Sequence, residues 1–151
     1  VADNSKMLIS SNGITFIARH EGLRLERYLD QAGNPTIGYG HLILPGEMYD
    51  TITEEQARTL LAQDSEEAQT AVRILVFHPL LQNQFDALVD FTFNLGAHNL
   101  AKSGLRRHIN SGMPILLLTG EHYCLSLGVH GSFLIEMIVE VHPDERTDQR
   151  D

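Results

Sequence analysis

Apolar residues recur along this chain with a helical period in some stretches and without it in others, and the changes mark out the elements. In ITFIARHEG, Ile14, Ile17 and Ala18 fall on one helical face. Ser10, Ser11 or Asn12 offers an N-cap for this helix, and Gly22 a stop. From Leu23 to Leu44 the helical period fails. Leu25, Tyr28 and Leu29 are followed by Gln31-Ala32-Gly33-Asn34-Pro35, then by Thr36, Ile37 and Tyr39 among glycines, which predicts two short strands about a turn. Pro45-Gly46 closes this small sheet. Thr53-Glu54-Glu55-Gln56 has the order of a capping box, and Ala57, Leu60, Leu61, Ala68, Ala71, Val72 and Leu75 keep helical spacing behind it. A long helix from about Thr53 to Val76 is predicted, broken by Pro79. Phe85, Leu88, Val89 and Phe93 then form an apolar stripe over Leu81 to Leu95, which reads as core and ends at Gly96. A further helix is expected over about Leu100 to Asn110. Beyond Gly112 the character changes to apolar runs rich in β-branched residues, PILLLTG, YCLSLG and SFLIEMIVEV, and the chain ends on the polar tail PDERTDQRD.

A length of 151 residues at 42% hydrophobic composition suits one globular domain, 1–151, large enough to bury a core. The formal net charge of -9 argues against a general nucleic-acid binder, because neutralising phosphates requires clustered Lys and Arg. Cys124 is the only cysteine, so neither an intramolecular disulfide nor a cysteine-based zinc site can form. The opening stretch VADNSKMLISSNG lacks the apolar core of a secretory signal, and no run approaches the roughly 20 apolar residues that span a bilayer. A soluble chain with no membrane anchor is expected.

The stretch HEGLRLERYLDQAGNPTIGYGH gathers polar groups of a kind that serve glycoside hydrolysis. That reaction needs a carboxylic acid beside the leaving oxygen and, in inverting enzymes, a second group holding water on the opposite sugar face, with carboxyl groups about 6.5–9.5 Å apart. Glu21 at a helix end and Asp30 near the hairpin turn are suited to converge in this way, and Thr36 on the returning strand offers a hydroxyl to orient the same water. Spacing alone does not establish the site, since such a pair on an acidic chain is usually two solvated carboxylates. Gly38 and Gly40 read first as permissive strand or turn backbone, which would also let a sugar approach closely. Arg106-Arg107 reads as a solvated helix face.

The ordered string E-G-L-R-L, Y-L-D-x-A-G-N-P-T-I-G-Y-G-H closely resembles the phage-type lysozymes, the endolysins of glycoside hydrolase family 24. The similarity continues through TITEEQARTLLAQD, QNQFDALVDFTFNLG and the NSG near residue 110, covering about Met7 to Gly112. The resemblance implies an α+β, lysozyme-like fold: a small β-hairpin lobe and a mainly helical lobe joined by a long helix. It implies a muramidase that cleaves the β-1,4 bond between N-acetylmuramic acid and N-acetylglucosamine in bacterial peptidoglycan, with no cofactor and no metal. Its catalytic Glu, Asp and Thr fall on Glu21, Asp30 and Thr36, with Glu21 as general acid. Gly38, Tyr39, Asn94 and Gly96 become candidate substrate contacts, and His41 is expected to pair with Asp64. A monomer is expected, held in the host cytoplasm before release to the cell wall.

After Gly112 the resemblance stops: the family's tryptophan-containing segment and basic final helix have no counterpart in MPILLLTGEHYCLSLGVHGSFLIEMIVEVHPDERTDQRD. A change of reading frame near the codons for Gly112 and Met113 would produce such a boundary. The alternative to an active hydrolase is therefore an inactive or weakly active peptidoglycan-binding relative. The apolar runs between Ile115 and Val141 are compatible with helices over the surface the family's last helices cover, with extra strands or with an oligomer contact, helices being slightly preferred because they would preserve the lobe; Arg146 or Arg150 could stand in for a basic residue near the acid, with no motif to support either.

Overall fold

The computed structural model describes residues 3–112, so the expectations for Ile115 to Val141, Arg146 and Arg150 lie outside the described residues. The chain divides into two units, one formed by residues 14–66 and the other by the N-terminal segment together with residues from 67 onward.

The first of these carries most of α1 (Ser11–His20), a three-stranded antiparallel sheet and α2 (Glu54–Asp64). The sheet runs in sequence order through β1 (Arg24–Leu29), β2 (Pro35–Gly38) and β3 (His41–Leu42). Two strands were predicted from the pattern; the third has only two residues, too few to leave a periodic trace. β1 and β2 are joined by a tight loop in which the Asp30 amide donates to the Asn34 carbonyl at 2.9 Å and the Gly33 amide to the Asp30 carbonyl at 3.0 Å. Gly33 takes a φ of 84°, the left-handed geometry that a side chain disfavours.

On its other edge β1 is held by the segment before α2, through Arg27 N–H to the Asp50 carbonyl and Ile52 N–H to the Leu25 carbonyl, both at 2.9 Å. The pairs Arg24 with Gly38 and Tyr28 with Thr36 are separated by an irregular register, so β1 is bulged between them. Gly38 is required twice over. Its φ is 66°, and a Cβ there would stand 3.3 Å from that of Ala57 on α2, so the sheet is pressed against this helix where Ala57 is itself fully buried. Thr53 caps α2 as its capping-box sequence predicts: its hydroxyl accepts from Gln56 N–H at 3.1 Å, and the Gln56 side chain accepts from Thr53 N–H at 2.8 Å.

The long helix expected from Thr53 to Val76 is two segments, α2 and α3 (Glu66–Leu75), with Ser65 between them. Ser65 keeps helical dihedrals and still donates its N–H to Leu61, but its hydroxyl donates to the Ala62 carbonyl at 2.8 Å. This is the local competition by which serine interrupts a helix without bringing a proline or a glycine. The helix expected over Leu100 to Asn110 is likewise two, α5 (Ala97–Lys102) and α6 (Gly104–Asn110), because the Ser103 hydroxyl accepts from Arg106 N–H at 3.0 Å and starts a new helix.

In the second unit the buried cluster centres on α4 (Gln82–Leu95), with Phe85, Leu88 and Val89 facing Val72 and Val76 from the α3 side and Leu100, Leu105 and Ile109 from α5 and α6. Phe93 is only partly buried and packs on its margin. The N-terminal segment joins this unit through side chains. The Gln69 side chain accepts from Ile9 N–H at 2.9 Å, and the buried Asp86 carboxylate accepts from both the backbone and the hydroxyl of Ser10. Ser10 in turn accepts from Gly13 N–H at 3.1 Å, which makes it the N-cap among the three candidates. A Cβ on Gly13 would come within 2.7 Å of the Asp86 carboxyl carbon, so only glycine fits.

Candidate active site

Glu21 is the first residue beyond the last turn of α1 and is partly exposed. Helix geometry ends there because Gly22 and the strand that follows cannot continue it. Asp30 is the first residue beyond β1, and the loop that turns the chain back also binds its carboxylate. Oδ1 accepts from Ala32 N–H at 2.9 Å and Asn34 N–H at 2.8 Å, while Oδ2 accepts from the Asn34 side-chain amide at 3.2 Å. The Asn34 backbone amide above all, aided by the Asn34 side chain and then by the Ala32 and Gly33 amides, outweighs desolvation and holds the Asp30 carboxyl below the usual aspartate range. Asp30 is therefore a fixed anion at neutral pH, unsuited to giving up a proton.

Thr36 lies on β2 and is 4% exposed. Its hydroxyl donates to the Asn34 carbonyl at 3.0 Å. With its proton committed there, the oxygen has lone pairs left and acts toward a third party as an acceptor. Asn34 thus joins the two predicted residues, binding Asp30 through its N–H and side chain and Thr36 through its carbonyl. Sequence reading passed over it, although an Asp followed four residues later by Asn across a glycine is the mark of a side chain that closes its own turn.

The other predicted residues divide between the units. His41, on β3, is 7% exposed; its Nδ1 is 2.9 Å from Asp64 Oδ1, and its Nε2 is 3.1 Å from Glu47 Oε2. Burial works against a charge on this ring, but the two carboxylates outweigh it and raise the histidine pKa. Glu47 was not foreseen. It follows the Pro45-Gly46 turn, and its Oε2 also accepts from Leu44 N–H at 2.8 Å; that bond, followed by the one from His41, holds its carboxyl below the ordinary value. Tyr39 is 8% exposed in the β2–β3 turn. Asn94 and Gly96 belong to the other unit, at the end of α4. Asn94 is exposed, with its amide donating to the Asp90 carbonyl at 2.9 Å, and Gly96 ends the helix with a φ of 87°. Among the described residues no group of three His, Cys, Asp or Glu side chains is arranged to hold a metal ion, and no helix is long and apolar enough to cross a membrane.

The profile of the phage lysozyme family matches residues 18–116, which takes in Glu21, the hairpin with Asp30 and Thr36, and all of α2 to α6. The chain belongs to the phage lysozyme family. The match ends just beyond Gly112, where the resemblance in the sequence also stops. Among curated phage lysozymes, the endolysin of Salmonella phage P22 is 43% identical over 111 residues, covering 69% of this chain and 74% of its own. The endolysin of Acyrthosiphon pisum secondary endosymbiont phage 1 is 39% identical, covering 70% and 72%. The solved structures agree. A P22 lysozyme variant superposes with a TM-score of 0.65 at 43% identity, covering 70% of this chain and 75% of that one. The muramidase domain of SpmX from Asticaccaulis excentricus gives 0.60 at 39% identity, covering 71% and 72%. The fold is thus α+β and lysozyme-like, as expected.

Proposed function

We propose that this phage lysozyme is an endolysin that hydrolyses bacterial peptidoglycan, cutting the β-1,4 bond between N-acetylmuramic acid and N-acetylglucosamine with Glu21 as general acid. The observation that carries the reading is the pair of unlike carboxyl positions. Asp30 is tied by three hydrogen bonds into its loop and kept anionic, whereas Glu21 stands at a helix end outside that loop. Two carboxyl groups held in different environments are what a glycosidase needs to separate acid from base. The likeness to a solved muramidase domain at 39% identity supports the choice of bond.

In the proposed reaction Glu21 gives its proton to the glycosidic oxygen as the bond from the anomeric carbon breaks. The fixed negative charge of Asp30 stabilises the oxocarbenium character that develops. Thr36, with its own proton held by Asn34, accepts a hydrogen from the attacking water and aims its oxygen at the anomeric carbon; the proton released passes to Asp30. No metal or organic cofactor takes part. The enzyme acts as a single domain and a monomer, and reaches the wall from the host cytoplasm.

Loss of turbidity of purified cell walls tests the assignment. Glu21→Gln keeps the shape of the side chain and removes its proton, so the rate is expected to fall by about a hundredfold or more. Equal rates for the two proteins would instead identify a wall-binding relative without this chemistry.

A further inference from the structure

Asn12 and Gly13 form the only Asn-Gly pair in the chain, and both lie in the first turn of α1. In such a pair the side-chain carboxamide stands one rotation away from the backbone nitrogen that follows it, and glycine leaves that nitrogen unshielded by a Cβ. The reaction open to them needs no co-reactant but water. The Gly13 nitrogen gives its proton to solvent and attacks Asn12 Cγ; the former carboxamide nitrogen leaves as ammonia, closing a five-membered succinimide. Water then adds to either ring carbonyl and opens the ring. The products are aspartate and isoaspartate, in the second of which the main chain runs on through Cγ.

The fold both supplies this pair and restrains it. The Asn12 side chain is exposed, and no hydrogen bond ties its carboxamide to another described residue. Gly13 is buried, and a Cβ there would stand 2.7 Å from both the Asp86 carboxyl carbon and Ile9 Cγ1. Packing therefore keeps at position 13 the residue that makes Asn12 labile. Closure, however, must bring Asn12 Cβ into line with the Gly13 nitrogen, which carries ψ out of the helical range of about −42°. It must also free the Gly13 N–H, which donates to Ser10 Oγ at 3.1 Å. Ser10 is in turn fixed by the buried Asp86 carboxylate, which accepts from its N–H at 2.9 Å, from its hydroxyl, and from the Gln82 side chain at 2.9 Å. We propose that Asn12 is a self-modification site, converted to aspartate and isoaspartate only when the Ser10–Asp86 contact opens and the first turn of α1 unwinds. The two products diverge. Aspartate keeps the backbone and sets a negative charge at the favourable end of the helix, whereas isoaspartate adds a methylene to the main chain and cannot rebuild the turn. The conversion is independent of the chemistry proposed for Glu21.

The full chain is incubated at neutral pH, folded or unfolded in urea, and the exchange of NH2 for OH at Asn12 is followed by mass spectrometry of its proteolytic fragments. Conversion is expected to be about tenfold or more slower in the folded protein, since only the opened fraction reacts. Ser10→Ala removes the acceptor of the Gly13 N–H. It should raise the folded-state rate about fivefold to thirtyfold, the change in open population that loss of an N-cap brings. Ser103→Ala removes the corresponding cap of α6 and should leave the Asn12 rate unchanged, which separates local opening from a general loss of stability. A measurement on wild type alone guards against a variant that fails to fold. Below the unfolding transition the rate should depend on urea far more weakly than global unfolding does, because opening one helical turn exposes little surface. Equal rates in folded and unfolded protein, no acceleration by Ser10→Ala, an equal acceleration by Ser103→Ala, or the full urea dependence of global unfolding would each overturn the proposal.

Discussion

Asn34 shows how a residue outside the proposed catalytic group can set that group's state. It gives Asp30 a backbone and a side-chain donor and takes the Thr36 proton, so the charge of one partner and the polarity of the other depend on a single loop residue. Asn34→Ala removes only the side-chain donor and leaves the Ala32 and Asn34 amides in place. The rate of wall lysis is expected to fall by about threefold to tenfold, well short of the loss expected for Glu21→Gln. The Asp30 carboxyl, followed by carbon NMR, should titrate closer to the ordinary aspartate value in this variant. The sign follows from its lowered pKa in the folded protein: what the loop gains from an ionised Asp30 is present above the ordinary value of about 3.9 and disappears as pH falls through the lower folded one. Glu21, Asp30 and Thr36 could be named as candidates from the sequence because a long ordered motif carries them. Asn34 was not, because its part is played through one turn's geometry and has no periodicity to announce it.

At the scale of elements, helix existence was legible and helix continuity was not. Apolar spacing runs unbroken through Ser65 and approaches Ser103 without warning, since it reports which face is buried and is indifferent to where a hydroxyl takes over a backbone partner. The same holds for the link between β3, the turn before Glu47 and α2. His41 and Asp64 were expected to meet, but the second carboxylate comes from a turn that reads only as Pro-Gly punctuation. With a carboxylate on each ring nitrogen and the Tyr49 ring set nearly perpendicular to it, centroids 6.1 Å apart, His41 is held best as the cation. A raised histidine pKa in the folded state means that its contribution is complete below the unfolded value of about 6.5 and is lost as pH rises through the folded one. Glu47, with its lowered pKa, contributes above the ordinary glutamate value and fails below it. The three-element link is therefore strongest between those two limits. Denaturant unfolding of wild type and His41→Gln from about pH 5 to 9 should show their difference in stability shrinking steadily as pH rises. A difference independent of pH would mean that the ring acts by packing alone.

At the scale of the whole chain, the first residues belong to the unit built from residue 67 onward and not to the sheet and α2 that come next in sequence. No pattern in the sequence announces this, because bonds spanning more than 70 positions have no local signature. Asn4 is the clearest case. It is 7% exposed; its amide donates to the carbonyls of Val76 and His78 at 2.8 Å each, and its carbonyl accepts from Leu80 N–H at 3.0 Å. The connection from α3 to α4 carries Pro79 and cannot satisfy these groups through helix bonds. Asn110 holds the same connection, with its amide donating to Leu75 and its carbonyl accepting from Phe77 N–H, at 2.9 and 3.0 Å. Those groups are more exposed, so water can replace that side chain more readily than it can replace Asn4. Asn4→Ala is accordingly expected to lower the unfolding free energy by about 2–4 kcal/mol, since it strands buried backbone groups as well as losing the bonds themselves. Asn4→Asp should be no better, although it is the closer match in shape, because it sets a carboxylate oxygen against two carbonyls that need a donor. Urea unfolding of the full chain measures both. A variant within about 0.5 kcal/mol of wild type would show that the N-terminal segment is not needed to complete this unit.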